Sequence, residues 1–524
     1  MGLIQKVADY FRPKQPRKVE TPQQDFRPQN AYYDAWRTTD ENKNYWAHTD
    51  HFDADSANQK LVRHEMMWRS RYELNSNGYA DGIAQTLATD LVGVGPGLRM
   101  QTASTNFNQM VETAWNLWTK EIHFRRKLWC MAHAKYGDGE AFAVLRKNSA
   151  LNFPVALDVV LYEADQVQTP YGLFVEPNRI DGIKFDDFGN PIYYDLMHHH
   201  PGNTHQIEYN PVPEQIPADR MLHWFKMRRP GQHRGIPEMA STLNLGAAAR
   251  RYREATLAAA ESAADINIVL KTGFQPDVMA NAVPFSTMPL EKRMMTALPA
   301  GYDASQMRSE FPTTTYWEYH KSLINEQGRP ASMPLNKAMC NSADYNFASG
   351  RLDALPYCGN LDVQREDCND LVLNKVFSIW FDLSITAFSW LGGDPLAVSS
   401  AARAHDWDWP KHRIADVESE ANANKTRLAT GQIGLERLYS EMGLDLEDEI
   451  PQMAKTYGVT DQELRLRLFD VVLALPKSNQ PVVGELPLQP PAAAPAKPAP
   501  PAKKMAALDR ETLLSSLNGN GHAH

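Results

Sequence analysis

Between Leu222 and Ala264 the chain joins a stiff turn directly to a long, small-residue-rich helix. Leu222-His223-Trp224-Phe225 is apolar and strand-like, Pro230-Gly231 marks a turn, a basic loop follows, and Pro237 stands where a proline opens a helix. From there to Ala264 the only helix-weakening residue is Gly246, and ten alanines lie between Ala240 and Ala264. Such a stretch predicts a helix of about seven turns.

The chain of 524 residues is long enough for several domains. It has no run of about 18 apolar residues, so no membrane span is expected. The N-terminus lacks the apolar block of a secretory signal, which predicts a cytoplasmic protein. Four cysteines, Cys130, Cys340, Cys358 and Cys368, show no CxxC spacing and read as buried or half-buried thiols of a reduced compartment. The net charge of −9 argues against wrapping nucleic acid by bulk attraction, though not against letting it slide past.

Residues 1–18 are basic around a few apolar side chains and read as a flexible arm, with a short amphipathic docking helix as the alternative. Tyr32, Tyr33, Trp36, Tyr45 and Trp46 suggest an arm that packs on something large, such as a neighbouring subunit. Residues 57–91 read as helix broken at Asn75-Ser76-Asn77-Gly78. Residues 107–129 read as an amphipathic helix with Trp115, Leu117, Trp118 and Ile122 on one side. Strands are expected near 140–145, 155–162, 182–185 and 191–196, separated by Asp-Gly and Gly-Asn turns. Gly93 to Gly97 follows a helix and contains Pro96, so it does not read as a phosphate loop. Leu352 to Trp390 reads as helix interrupted near 356–360, with an apolar stripe of Val372, Val376, Ile379, Trp380, Leu383 and Phe388. Between Arg413 and Glu463, 5 Lys or Arg face 11 Asp or Glu, an acidic surface that repels phosphate. Nine prolines between Pro476 and Pro501 mark an extended tail.

The pairing of His223 with Arg229-Pro230-Gly231-Gln232-His233-Arg234-Gly235-Ile236-Pro237, followed by Arg250-Arg251-Tyr252, resembles the portal proteins of lambda-like tailed phages. Leu61 to Asn75, Asp90 to Gly95, Tyr136 to Leu145 and the string Asn346-Phe347-Ala348-Ser349-Gly350-Arg351 follow the same family order. The resemblance implies an α+β portal fold: arm 1–56, wing 57–236, first stem helix 237–265, clip 266–311, second stem helix 312–328, tunnel loop 329–344, a long wing helix with its return 345–409, and a helical crown 410–475 before the tail. It implies a ring, expected from the family to be a dodecamer, at one capsid vertex of the virion, assembled in the host cytoplasm. Double-stranded DNA would pass through it without sequence recognition. Its other partners would be the terminase large subunit, major capsid and scaffold protein, and neck or head-completion protein. No enzyme activity, cofactor or metal is implied. Candidate channel-facing cations are Arg250, Arg251, Arg253, Lys321, Arg329 and Lys337.

Two readings compete. A metal-dependent hydrolase would use His198, His199, His200 and His205 with Asp195 and Glu208, but contiguous histidines alternate their side chains and no Glu or Cys lies at a helpful offset. A polar surface hairpin accounts for the same residues. A monomeric capsid-associated adaptor would use the basic N-terminal arm.

Overall fold

The computed structural model describes residue 40 and residues 43–45, 50–169, 176–205, 212–264, 268–272, 302–306, 316–391, 400–412, 417–442, 444 and 446–473. The expectations for the N-terminal arm before residue 40 and for the proline-rich tail lie outside these residues, as do residues 273–301 of the expected clip.

Helix α1 (Lys60–Ser76) and helix α2 (Gly78–Val92) meet at Asn77, whose side chain accepts from the Tyr79 N–H and caps α2. Strand β1 (Gly97–Met100) leads to α3 (Thr105–Glu121) and α4 (Phe124–Gly137). The sequence suggested one helix across this region. His123 sits at φ 54°, in the left-handed region, which ends α3 and starts α4 in a new direction. Trp115, Trp118 and Ile122 are buried as expected, while Leu117 is exposed.

Three strands, β2 (Glu140–Lys147), β3 (Leu157–Tyr162) and β8 (Met221–Phe225), form an antiparallel sheet with β2 in the centre. Its middle strand is buried on both faces up to Leu145. A second antiparallel sheet contains β4 (Arg179–Ile180), β5 (Ile183–Phe185), β6 (Pro191–Leu196) and β7 (Glu214–Pro217) in chain order. Phe142 and Val144 of β2 pack with Ile183, Tyr194 and Ile216 of that sheet.

A 3₁₀ turn, Glu238–Thr242, precedes helix α5 (Leu243–Ala264). The long helix therefore starts six residues later than Pro237 alone suggests: the Arg228 guanidinium takes the carbonyls of Pro237 and Glu238, and the Thr242 hydroxyl donates to the Met239 carbonyl. After α5, β9 (Ile268–Thr272) pairs antiparallel with β10 (Tyr302–Gln306). Helix α6 (Tyr316–Gly328) then returns along α5, with Tyr252 stacked on Tyr316 at 5.6 Å and edge-on to Tyr319 at 5.1 Å.

Residues 329–344 hold a short 3₁₀ turn through Pro330 and a single helical turn, Leu335–Ala338, started by Pro334. The two prolines therefore set local turns rather than excluding helix altogether. Helix α7 (Phe347–Cys368) runs unbroken through Pro356, which is exposed, so the interruption expected near 356–360 is not observed. The irregularity comes later, as a π-helical segment at Asn369–Leu373 before α8 (Asn374–Ala387). There the Asn369 and Asn374 side chains accept the indole N–H of Trp409 and Trp407. Val372, Val376 and Trp380 are buried, whereas Leu383 is exposed.

Strand β11 (His405–Asp408) comes back to pair with β1, Gly97 opposite Asp408 and Leu98 opposite Trp407. This brings Trp407 onto Trp115, with Trp118, Phe377 and Trp380 around it at ring distances of 5.0 to 6.3 Å. Deleting one such ring would cost about 3–5 kcal/mol. Four helices follow: α9 (Val417–Ala429), α10 (Leu435–Glu441), α11 (Leu446–Tyr457) and α12 (Asp461–Leu473). Ile450 and Ala454 of α11 and Leu464 of α12 form a small core between the last two. Cys130 and Cys340 are exposed, which corrects the expectation of buried thiols; Cys358 is half-buried and Cys368 buried.

Candidate functional site

The loop between β8 and α5 is built by Gln232. Its side-chain oxygen accepts from the backbone N–H of Arg228 at 2.9 Å and Arg229 at 3.3 Å, and its amide donates to the Arg234 carbonyl at 2.8 Å. Gly231, at φ +76°, lets the turn after Pro230 close. Gly235 presses on Gly139: a Cβ on Gly235 would lie 2.1 Å from the Gly139 carbonyl oxygen. Only two backbones without side chains can approach so closely.

This contact delivers Arg234 to Glu140, the first residue of β2. Arg234 Nη2 is 2.6 Å from Glu140 Oε1 and Nε is 3.0 Å from Oε2. The Gly235 N–H donates to Oε2 at 2.9 Å, and His223 Nε2 lies 3.1 Å from the same oxygen. Arg63 of α1 stands 3.6 Å from Glu140 and bonds Asp181 of the second sheet. Arg234 also donates to the carbonyls of Val167, at 2.9 Å, and Asp181. Two buried guanidinium ions thus face the buried Glu140 and the half-buried Asp181.

Burial alone would raise the Glu140 carboxyl, but Arg234, the hydrogen bond from His223 and Arg63 outweigh it and hold it well below the ordinary range. Burial likewise opposes Asp181, whose carboxyl is lowered by Arg234 and Arg63. Burial pushes His223 down despite Glu140, so the imidazole is neutral and Nε2 donates its proton to the carboxylate. The arrangement has no nucleophile beside a base. It fastens a helix, two sheets and the loop that starts α5 to one another.

A second buried pair grips the start of α5. Lys135 of α4 is 2.6 Å from Glu238 and 2.8 Å from Gln364 of α7, with Trp224 under its ammonium at 5.5 Å. Burial would raise the Glu238 carboxyl, but Lys135 and Lys226 outweigh it and hold it low. About two turns into α5, Arg250 bonds Glu73 at 2.8 Å and covers the Tyr72 ring at 5.0 Å.

The six candidate channel cations divide. Arg250 is engaged by Glu73, Lys321 by Asp344 with the Trp317 ring beside it at 5.1 Å, and Lys337 by Asp90 at 2.6 Å over the Tyr357 ring at 4.8 Å. Arg251, Arg253 and Arg329 are exposed. At about 100° per residue, Arg250 and Arg253 lie about 60° apart on one side of α5, whereas Arg251 lies about 100° from the first and about 160° from the second, so the three do not share one face. Asn346 caps α7, accepting from the Ser349 N–H at 2.8 Å, and Ser349 donates to the Asn346 carbonyl at 3.1 Å. Arg351, next in that string, is exposed. Sequence reasoning did not single out Glu140, Arg63, Asp181, Lys135 or Glu238 as a constellation. The only hint was the density of arginine in segments otherwise bound for a core.

The histidine cluster falls in a loop. His200 lies 3.4 Å from both Glu163 and Asp165, acids that come from another part of the chain and that no local spacing reveals. Arg71 is already there, 2.8 Å from Asp165 and bonded to Asp138 at 2.7 and 2.9 Å. The Gly202 N–H donates to His200 Nδ1 at 2.9 Å, so the ring proton sits on Nε2 and faces the carboxylates. A metal on Nε2 would force that proton to Nδ1, against Gly202. Asp195, the acid expected to serve a hydrolase, is bound by Arg179 instead, and Glu208 lies outside the described residues.

Comparison with known proteins agrees with the loop motif. The family described as "Phage portal protein, lambda family" matches residues 41–364, more than half of the chain. A "Probable portal protein" of Halomonas phage phiHAP-1 is 22% identical over 515 residues, covering 87% of this chain and 92% of its own. Among solved structures, the neck of an empty gene transfer agent particle computed with C6 symmetry covers 72% of this chain and 93% of its own at 13% identity, with a TM-score of 0.41. An HK97-family phage portal protein from Corynebacterium diphtheriae covers 55% of this chain and 85% of its own at 12% identity, with a TM-score of 0.27. Overlaps of that extent carry no argument; the family match does, and by it the chain belongs to the lambda family of phage portal proteins.

Proposed function

We propose that copies of this chain close into a ring at one capsid vertex and form the channel through which double-stranded DNA is packaged and later ejected. The ring docks the terminase large subunit during packaging and neck or head-completion proteins afterwards, and it meets major capsid and scaffold protein at its rim. In this reading the chain works in the virion after assembly in the host cytoplasm, and by holding rather than by chemistry. Residues 57–236 and 345–409 form the wing, α5 and α6 the stem, 266–311 the clip, 329–344 the tunnel loop and 410–475 the crown.

The observation that carries this reading is the mounting of the α5–α6 hairpin. The 3₁₀ turn that leads into it is held by Lys135, which Gln364 also engages, its second turn by Glu73, and the loop before that by Glu140. A hairpin so fixed keeps its place when DNA is driven past it. Identical head-to-tail interfaces close by rotation, and about twelve copies multiply each exposed cation into a girdle. Arg251, Arg253 and Arg329 are free to serve in that way, whereas Arg250, Lys321 and Lys337 are bound to carboxylates of their own chain. Contacts would be to phosphate, weakening with salt and indifferent to sequence.

Native mass of the full-length protein, with negative-stain images of the same sample, tests the reading. Rings with a central hole are expected. A protein that stays monomeric with capsid and scaffold protein present refutes it.

A further inference from the structure

Two helices turn apolar faces outward. On α1, Leu61, Trp68 and Tyr72 lie within about 40° of arc, counting 100° per residue. They are 79%, 53% and 60% exposed, respectively. On α7, Leu352, Leu355 and Val363 lie within about 80° of arc and are 65%, 60% and 63% exposed. Each face runs about 16 Å along its helix. Opposite them, Met67, Ser70 and Glu73 of α1 and Tyr357, Leu361 and Gln364 of α7 are buried, so both faces look away from their own core. Both helices pack on α2.

The two faces differ in shape. On α1 the rings stand as fixed ridges: the Trp68 indole donates to Asp165 at 3.2 Å, and Tyr72 is held beneath Arg250. Half-exposed aromatics that are already immobilised lose little freedom on docking, which is the property of interface anchors. On α7 the centre of the face is a notch. Gly359 sits one turn after Leu355 and one turn before Val363, and a Cβ there would meet nothing within 4 Å. Glycine in mid-helix is costly to a helix unless something approaches it closely.

We infer that the α1 ridge of one copy docks on the α7 face of the next, with an aromatic ring seated over Gly359. This rests on the ring proposed above and names the contact that closes it. A ridge and a notch on different helices of one chain can pair head to tail, the arrangement that gives a ring where the rotation closes. Each face presents on the order of 300 Å² of apolar surface, the size of the largest such patch on a typical monomer and one that often marks a binding surface. Together they supply about half of the roughly 1,200 Å² at the lower end of stable interfaces, so they form the apolar centre of a larger contact.

The test uses the full-length protein with Gly359→Leu, which fills the notch into open space, and separately Leu61→Glu, at the most exposed position of the ridge. Native mass and negative stain read the assembly, and far-UV circular dichroism with a melting curve reads the fold. Wild-type rings with both variants reduced to single copies or open arcs, at unchanged helix content, support the inference. Unchanged rings in either variant overturn it and leave the portal reading standing. Wild-type protein without rings, even beside capsid and scaffold protein, fails the portal reading itself. Hydroxyl-radical labelling of wild-type rings asks the same question without substitution. Protection of Trp68, Tyr72 and Leu352 relative to dissociated protein supports the contact, and full labelling overturns it.

Discussion

Glu140→Gln is the sharpest test of the buried ionic junction. The side chain is fully buried, and its two oxygens receive Arg234, His223 and the Gly235 N–H. Glutamine has the same shape, so no cavity opens and packing is unchanged. The charge balance does change: Arg63 and Arg234 are left against Asp181 alone, and an amide N–H₂ now points at donors. Removing one member of a buried ion pair costs about 3–5 kcal/mol. That is a large share of the roughly 5–15 kcal/mol that holds a typical domain together.

Denaturant unfolding followed by tryptophan emission reports on this region, because Trp224 lies on the neighbouring strand β8. A loss of at least about 3 kcal/mol is expected, and a loss below about 1 kcal/mol refutes the account of the junction as a tightly coupled buried pair. The pH dependence follows from the direction of the shift. Glu140 is held well below its ordinary value of 4.5, so its contribution is full above that value and is lost only as pH falls through the lower, folded one. Wild-type protein should keep this stability into acid, and the variant should lack that part of the acid transition.

The glycines give a pair of opposite signs. Gly235→Ala puts a methyl 2.1 Å from the Gly139 oxygen and should unfold or strongly destabilise the junction, while Gly359→Ala should stabilise by about 0.5–1 kcal/mol in thermal melts of dissociated single copies, where that position on α7 is open. Lys337→Ala breaks a partly exposed pair with Asp90, so a loss of no more than about 1 kcal/mol is expected. DNA retention should be unchanged; lost retention with intact rings would place Lys337 in the channel after all. Combined Arg253→Ala and Arg329→Ala should leave rings intact and flatten the salt dependence of DNA binding, measured by competition at several ionic strengths.

Local signals in the sequence carried much of this structure. The Asn77 cap, the turn at Pro230-Gly231 and the strands at 157–162 and 191–196 all follow from short-range propensity. The junction does not. Glu140 and Arg234 are 94 residues apart, and Asp181 and Arg63 118 apart, so no periodicity connects them. The same limit explains Lys337, whose partner Asp90 is 247 residues away, and the left-handed His123, which only the packing of α3 against α4 makes affordable. The channel cations illustrate the error of reading charge without geometry: on α5 Arg251 points away from Arg250 and Arg253, and Arg250 is taken by Glu73.

The pairing of β1 with β11 also governs when the protein can be finished. Gly97 emerges from the ribosome about 300 residues before Asp408, which at roughly 5–20 residues per second is about 15–60 s of synthesis. Throughout that interval Trp115 lacks Trp407, and the aromatic cluster they share is incomplete. A chain truncated before residue 405 would have its early helices but an open seam. Such a product should be sticky and short-lived, captured by chaperones or degraded, so that only full translation yields a subunit fit to join others.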